Sequence, residues 1–353
     1  LLVACPCALS MATPAATVAG IGNGARKGIM IKGGTVLEAA SDVNCVVFDK
    51  TGTLTLGKPS VTDVSTFDGI RVENLLFFAA SAEKLSEHAV STSILNEAKR
   101  RNIAIVEPTS FKVLSGKGVF AEVKGSKVMV GNIMLMDDNK IKVSKEVEIE
   151  ISKRGKEGKT PLIIAVEGKV AGVIAMADVL KENSREGVEN LRKLGIKKIV
   201  LLSGDHRDVT EAMGKQLDIE DVRAEMLPED KVRIVEELKI KYKVAMVGDG
   251  INDAPALSAA NVSIAMGSGT DVSIGAADII LKTNDIRKVS ETLRLSKQTL
   301  RTIKGNMMFS MIYNVIGFGL AATGLFIPAY AVIFQEAGCF SVMLNSALLI
   351  RFK

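Results

Sequence analysis

Apolar residues concentrate at the two ends of the chain, whereas the middle mixes apolar and charged positions. The three most apolar runs cover residues 1–20, 306–327 and 330–350, and each approaches the roughly 20 residues that a helix needs to cross a bilayer. Residues 41–300 have the composition of a globular, soluble insert. Three spans would leave residues 21–303 and the C-terminus on one side of the membrane, and the flanking Lys and Arg residues favour the cytosol for that side.

The second half of the middle segment predicts strands that alternate with helices. Apolar runs predict strands near 170–177, 198–203, 243–248 and 261–265. Amphipathic stretches predict helices between them, at 182–194 and 229–239. This α/β alternation is typical of a doubly wound parallel sheet, whose functional sites lie at the carboxyl ends of the strands.

From about Lys58 the pattern is different, because short alternating strands are mixed with amphipathic helices. The helices are predicted at 72–81, 89–101 and 142–158. We interpret this stretch as an α+β domain inserted into the doubly wound one.

Composition excludes some classes of function. The 353 residues carry a formal net charge of +5, much of it beside the apolar ends, and only 4% of them are aromatic. A basic patch with interleaved aromatic residues is absent from the sequence, so we expect no nucleic-acid partner. Four cysteines are too few for a disulfide framework in a chain of this size. The chain opens inside an apolar run without Met, and we expect it to be the C-terminal part of a longer protein.

The stretch CVVFDKTGTLT at residues 45–55 carries the clearest chemistry. A β-branched run predicts a buried strand that delivers the carboxylate of Asp49 to a sheet edge. Gly52 then turns the backbone, and Thr51 and Thr53 add hydroxyl and amide groups suited to phosphate. A carboxylate in this position can act as a nucleophile and form an aspartyl phosphate.

Other strand ends supply partners for that carboxylate. Ser203 follows a predicted strand and offers a hydroxyl to phosphate, and Lys231 near the start of a helix can neutralise phosphate charge. The motif GDGINDAPAL places Asp249, Asn252 and Asp253 after another strand. Carboxylates grouped in this way are ligands for Mg²⁺, together with Asp49.

The apolar ends contain polar groups that are costly inside a membrane and are therefore candidates for an ion path. Cys5 and Cys7 flank Pro6, and thiolates prefer soft ions such as Cu(I) and Zn(II) over Mg²⁺. The later spans contain further polar residues, among them Tyr313, Asn314, Gln335, Glu336 and Cys339.

The order of Cys-Pro-Cys, DKTGTLT and GDGINDAPAL resembles that of the heavy-metal, or CPx-type, P-type ATPases over essentially the whole chain. The resemblance implies a haloacid-dehalogenase-like phosphorylation domain, a nucleotide-binding insert, ATP as the phosphoryl donor and Mg²⁺ as the cofactor. It implies that Mg²⁺ is held by Asp49, the backbone carbonyl of Thr51 and Asp249. Phosphatases of that superfamily usually have a second Asp where this chain has Thr51, which implies a long-lived phosphoenzyme here. The actuator domain of the family is not present in the sequence.

The resemblance also assigns nucleotide-binding residues in the insert, where the family has Ser-Glu-His-Pro, Gly-x-Gly-Val and Gly-Asn. The matching residues here are Glu83, His88, Gly116, Gly118, Gly131 and Asn132. Ala89 replaces the proline of the family. We expect His88→Ala and Gly118→Val to weaken ATP binding while the fold stays intact.

The predicted segments follow from these assignments. They are a transmembrane helix with its cytoplasmic exit (1–34), the phosphorylation domain (41–57 and 169–300), the nucleotide-binding domain (58–168) and a transmembrane hairpin (304–350).

The resemblance implies ATP-driven export of a soft metal ion by a multi-pass protein of the cell membrane, with its catalytic domains in the cytoplasm. Cu(I) is favoured, because Tyr313 and Asn314 are similar to the copper-type members, and a soluble metal chaperone is implied as a partner. The last span, with Gln335, Glu336 and Cys339, departs from that type, so a Zn/Cd/Co-type pump stays open. Two alternatives from other classes are a membrane-tethered phosphatase and a non-catalytic metal-sensing fragment.

Overall fold

The computed structural model describes residues 7–86, 89–114, 116–205, 207–249, 253–267, 275, 277–324 and 327–352. The chain forms two compact units, each assembled from separate segments. The first comprises Leu1–Asp49, Asn183–Val200 and Pro228–Lys353, and the second comprises Lys50–Glu182 and Leu201–Leu227.

The first unit is built on a mostly parallel sheet. Its strands are β1 (Ile29–Ile31), β2 (Cys45–Asp49), β11 (Val244–Gly248), β12 (Val262–Ala265), β13 (Ile279–Leu281) and the first residues of β9 (Lys198–Leu202). The order is β1-β13-β12-β11-β2-β9. The pairs β2–β11, β11–β12 and β12–β13 are parallel, and β1 is antiparallel to β13. Every residue of β2, β11 and β12 is buried, as continuous apolar runs in a sheet covered on both faces predict.

The helices of the first unit include α1 (Cys7–Arg26), α2 (Gly34–Ser41), α7 (Ser184–Lys193), α9 (Pro228–Lys239), α10 (Ala254–Ala259), α11 (Arg287–Ala322) and α12 (Pro328–Ala347). Within the described residues, two helical regions are long and apolar enough to cross a membrane, Arg287–Ala322 and Ala329–Arg351. The first predicted span, 1–20, lies partly outside the described residues. The second predicted span, 306–327, begins inside α11, which starts about five turns earlier, at Arg287, and passes from charged into apolar sequence without a break.

Amide side chains join the apolar helices, and those of Asn23 and Asn306 are buried. Asn306 donates a hydrogen bond to Ser346 Oγ (2.9 Å), and Asn345 donates one to Asn306 Oδ1 (2.6 Å). Asn23 near the end of α1 donates to the carbonyls of Leu349 and Phe352 (2.7 and 2.8 Å). These bonds satisfy polar groups where water is scarce and fix how α1, α11 and α12 pack.

The second unit contains an antiparallel sheet of different construction. Its strands are β3 (Ser60–Thr66), β4 (Ser110–Leu114), β5 (Gly118–Val123), β6 (Ser126–Gly131), β7 (Thr160–Val166) and β8 (Lys169–Ala177), in the order β3-β8-β7-β6-β5-β4. The helices α3 (Val72–Ala82), α4 (Ala89–Arg100), α5 (Ile133–Asp138) and α6 (Lys145–Lys156) belong to the same unit, as do α8 (Arg207–Leu217) and β10 (Asp221–Arg223). Two apolar cores form, one around Leu75, Leu76 and Val130 and one around Leu135 and Ile163.

The sequence placed β8 in the wrong sheet. The strand predicted near 170–177 is present, but it pairs antiparallel with β3 and β7 instead of joining the parallel sheet. The predicted boundary between residues 168 and 169 therefore separates two hydrogen-bonded strands. The error has a physical cause, because residues 170–176 are all buried and such a strand has the same apolar pattern in either kind of sheet.

Gly118 and Gly131 face each other across β5 and β6. Gly118 has φ of +139°, and a Cβ built on it would lie 2.1 Å from the carbonyl oxygen of Val130. A Cβ on Gly131 would lie 2.2 Å from the carbonyl oxygen of Lys117. The expectation that Gly118→Val leaves the fold intact is therefore wrong, since backbone atoms occupy the space that the side chain needs.

We predict that Gly118→Ala destabilises the second unit by about 2–4 kcal/mol, because backbone overlap adds to strain at positive φ. Gly125→Ala, in the β5–β6 turn, is the matched control. It has φ of +81° but no atom within 4 Å of the new Cβ, so we expect a loss of about 1 kcal/mol. Thermal unfolding of both variants measures the difference, and equal melting temperatures would show that the β5–β6 contact is not constrained.

Candidate active site

Asp49 is the last residue of β2, and its position follows from the register of the sheet. β2 pairs with β11 so that Phe48 lies opposite Val247, and Asp249 follows the last residue of β11. Parallel strands end at the same edge of a sheet, which brings both carboxylates to one place. Asp49 itself is buried, with 5% of its surface exposed.

Lys231 holds the centre of this site. It lies in the first turns of α9, is 8% exposed, and its Nζ donates to Asp49 Oδ1 at 2.5 Å and to Asp253 Oδ1 at 2.7 Å. Asp253 is 2% exposed and directly precedes α10. Two carboxylates from different strand–helix connections are thus bridged by one ammonium group.

The group is more negative than its one lysine can balance. Carboxylate oxygens of Asp49, Asp249 and Asp253 lie within 4.8 Å of one another. Three carboxylates against one ammonium leave a net charge of −2 when all are ionised. Hard oxygen ligands with that charge fit a divalent cation of the Mg²⁺ class.

The pKa of Asp49 reflects the same excess of negative charge. Burial raises the pKa of Asp49, the charge of Asp253 raises it further, and Lys231 opposes both, which leaves the pKa at about 7. Burial also disfavours the charge on Lys231, but Asp49 and Asp253 outweigh burial and raise the pKa of Lys231. The arrangement therefore keeps the ammonium charged and favours a further cation beside Asp49.

The loop after Asp49 is anchored by residues that sequence reasoning missed. Gly52 has φ of +73°, which turns the chain as predicted. The ammonium of Lys181, which is buried, donates to the carbonyls of Gly52 and Thr53 at 2.5 and 2.7 Å. Thr55 donates to Asp178 Oδ2 at 2.5 Å. Asp178 could have been found from the sequence, because it directly follows the apolar run of β8, just as Asp249 follows β11.

Of the remaining predicted catalytic residues, Thr51 is exposed and Ser203 is buried. Thr51 belongs to the second unit and has an exposed side chain, and its part in holding Mg²⁺ stays a prediction. Ser203, in the same unit, is buried, and its hydroxyl accepts a hydrogen bond from the backbone N–H of Asp205 at 3.0 Å. Asp205 also forms an ion pair with Lys50. Asn252 lies outside the described residues.

In the insert, the structure brings part of the predicted nucleotide cluster together. Asn132 caps α5 by accepting from the N–H of Leu135 (3.1 Å), and its amide donates to the carbonyl of Gly116 (3.0 Å). The two glycine motifs, 116–118 and 131–132, are therefore adjacent. Glu83 is buried and accepts from Ser91 at 2.5 Å. His88 lies outside the described residues.

At the start of α1, Cys7 is in contact with Gln335, a residue that was not predicted as its partner. Gln335 Nε2 of α12 lies 3.1 Å from Cys7 Sγ, whereas the neighbouring Glu336 is exposed. Tyr313 of α11 donates to the carbonyl of Phe334 at 2.5 Å. Asn314 is half-buried in α11. Cys5 lies outside the described residues.

Comparisons with known proteins agree with this geometry. A sequence profile of the haloacid dehalogenase-like hydrolases matches residues 43–261. A probable copper-exporting P-type ATPase of Archaeoglobus fulgidus is 44% identical over 357 residues, which is 99% of this chain and 44% of that protein. The crystal structure of a zinc-transporting PIB-type ATPase in its E2.Pi state superimposes with a TM-score of 0.82 at 35% identity, over 99% of this chain and 57% of that one.

A solved catalytic domain, that of the CPx-ATPase CopB-B studied for its response to nucleotide, is 34% identical with a TM-score of 0.62. The match covers 76% of this chain and 97% of that domain. The chain belongs to the CPx-type P-type ATPases. It spans about half the length of the first curated P-type ATPases it matches, which are named as exporters of copper, zinc or manganese at similar identity.

For this P-type ATPase, we predict that Lys231→Met destabilises the first unit by about 3–5 kcal/mol in Mg²⁺-free buffer, because three clustered carboxylates lose their counter-charge. Millimolar Mg²⁺ should restore part of the lost stability, since a cation that binds only the folded site stabilises it. Lys241→Met, an exposed change shortly after α9, should melt like wild type. A Lys231→Met melting curve identical to wild type without Mg²⁺ would contradict the role of the ion pairs.

Proposed function

We propose that the chain is the catalytic and ion-binding part of a pump that uses ATP to export a soft metal ion through an aspartyl phosphate on Asp49. The observation that carries the proposal is the buried group of Asp49, Lys231, Asp249 and Asp253 at one edge of the parallel sheet. The E2.Pi neighbour and the nucleotide-responsive catalytic domain support it.

The proposed reaction follows from the residues present. A carboxylate oxygen of Asp49 attacks the γ-phosphorus of ATP, the bond from that phosphorus to the β–γ bridging oxygen breaks, and ADP leaves with that oxygen. Lys231 orients Asp49 through Oδ1 and offsets negative charge at the acceptor. Mg²⁺ held by Asp49 and Asp249, with the carbonyl of Thr51 as a further proposed ligand, would neutralise charge on the transferred phosphoryl group. Thr51 offers no carboxyl acid to help water discharge the product, so the acyl phosphate persists.

We infer that the ion is Cu(I). Cys5 and Cys7 supply soft thiolates, and two thiolates already exceed the charge of a monovalent ion. The neighbour of Cys7 in α12 is the neutral amide of Gln335, and the carboxylate of Glu336 is exposed. Because the Gln335 amide adds no negative charge beside Cys7, it supports a monovalent transported ion. The zinc-transporting neighbour favours a second candidate, a Zn/Cd/Co-type pump, in which Glu336 would balance the extra charge.

The proposed setting is a multi-pass protein of the cell membrane, with the catalytic units in the cytoplasm and a soluble metal chaperone as the source of the ion. The two apolar helical regions support the bilayer as a partner.

The phosphorylation step has a direct test. Incubation with ATP labelled at the γ-phosphate should leave acid-stable, hydroxylamine-labile label on the protein, and Asp49→Asn should abolish it because an amide is a poor nucleophile. Asp42→Asn, an exposed acidic residue near β2, should label like wild type. Label that survives in Asp49→Asn would assign the phosphate to another residue, and a wild-type protein without label would favour a metal-sensing role.

The choice of ion is tested on the intact pump by ATPase activity with Cu(I), Zn(II), Cd(II), Co(II) and Mn(II). We expect the largest stimulation with Cu(I), its loss in Cys7→Ser, and substantial retention in Glu336→Gln, because that carboxylate is not needed to balance a monovalent ion. Stimulation by Zn(II) or Co(II) but not Cu(I), removed by Glu336→Gln, would establish the divalent alternative.

A further inference from the structure

The turn between β4 and β5 carries a lysine between its two glycines. Lys117 stands in Gly116-Lys117-Gly118, and its Nζ lies 2.5 Å from Asp138 Oδ2. The side chain of Lys117 is 39% exposed and that of Asp138 is 54% exposed. The family motif concerns the glycines, and the lysine has no part in the function proposed above.

The backbone of this turn is fixed while the side chain is accessible. The N–H of Lys117 donates to the carbonyl of Leu114 (2.9 Å), and the carbonyl of Lys117 accepts from the N–H of Asn132 (2.9 Å). Asn132 also donates through its side chain to the carbonyl of Gly116. The two glycine motifs thus fix the backbone from which the Lys117 side chain extends, beside the proposed nucleotide site.

Stability does not explain the partner of that cation. Exposed ion pairs contribute little to folding, and salt weakens them further. Asp138 is the last residue of α5, where a negative charge opposes the helix dipole. The ion pair of Lys117 with Asp138 is therefore weak, and an anion with more negative charge can displace the carboxylate of Asp138.

We propose that Lys117 binds a phosphate group of the nucleotide and that Asp138 competes for it. ATP binding then exchanges a carboxylate for a phosphate at Nζ, and Asp138 lowers ATP affinity in the resting site. Ammonium groups bind carboxylate and phosphate alike through charge-assisted hydrogen bonds, and the triphosphate carries more negative charge than one carboxylate. The inference rests on the proposed function, because it requires ATP at this insert.

The two partners should change ATP affinity in opposite directions. Isothermal titration of the intact protein with ATP should show about tenfold weaker binding for Lys117→Gln, equivalent to about 1.4 kcal/mol. Asp138→Asn should bind ATP about threefold more tightly, because Lys117 is released from competition. In the Lys117→Gln background, Asp138→Asn should have no further effect. Adenosine, which lacks phosphate, should bind wild type and all variants equally.

Matched controls separate this effect from general charge. Lys112→Gln on β4 and Asp137→Asn beside Asp138 remove the same charges from exposed neighbours and should leave ATP affinity within about twofold of wild type. The inference is overturned if Asp138→Asn weakens binding, or if Lys117→Gln and Lys112→Gln behave alike. If either outcome is found while the wild-type protein still binds ATP and is labelled on Asp49, only the inference about Lys117 fails and the proposed function is retained. A wild type that neither binds ATP nor takes up label would remove both.

Discussion

The bridge from Lys231 to Asp49 and Asp253 is the contact on which the first unit depends. It puts a buried ammonium between two buried carboxylates, so removing Lys231 would leave both carboxylates without a counter-charge in a poorly solvated place. The bridge also joins elements far apart in sequence: the end of β2, the start of α9 and the residue before α10. The same atoms therefore join these elements and leave a residual negative charge that fits a divalent cation.

The two ends of the insert are far apart in sequence but are tied together in the structure. The chain leaves through Thr55 and returns at Leu180, where these residues form an isolated antiparallel bridge. Lys181 and Asp178 then hold the loop that follows Asp49. The insert therefore keeps its own sheet and cores, while a strand bridge and side-chain hydrogen bonds hold its two attachments together.

Sequence patterns located most of the elements and the acidic residues that meet around Asp49, for a physical reason. Buried parallel strands are short apolar runs, and carboxylates that follow such runs collect at one sheet edge, as Asp49 and Asp249 do. The same rule failed for β8, because complete burial erases the alternation that distinguishes an antiparallel strand. The apolar run from residue 306 marks only the second half of α11, because the first half mixes buried apolar residues with charged ones. Lys181 with Gly52 and Gln335 with Cys7 are more than a hundred residues apart in sequence, and only the fold brings them together.

The surroundings of Asp49 and those of Cys7 differ in how strongly the fold constrains them. Around Asp49, secondary structure fixes each acidic residue: Asp49 ends β2, Asp249 follows β11 and Asp253 directly precedes α10. In α12, one helical step decides whether the group that faces Cys7 is the amide of Gln335 or the carboxylate of Glu336, because adjacent helical residues point about 100° apart. That step changes the charge of the side chain next to Cys7 by one unit. Pumps with the same phosphorylation chemistry can therefore differ in their cargo, which is consistent with relatives of similar identity being named for copper, zinc and manganese.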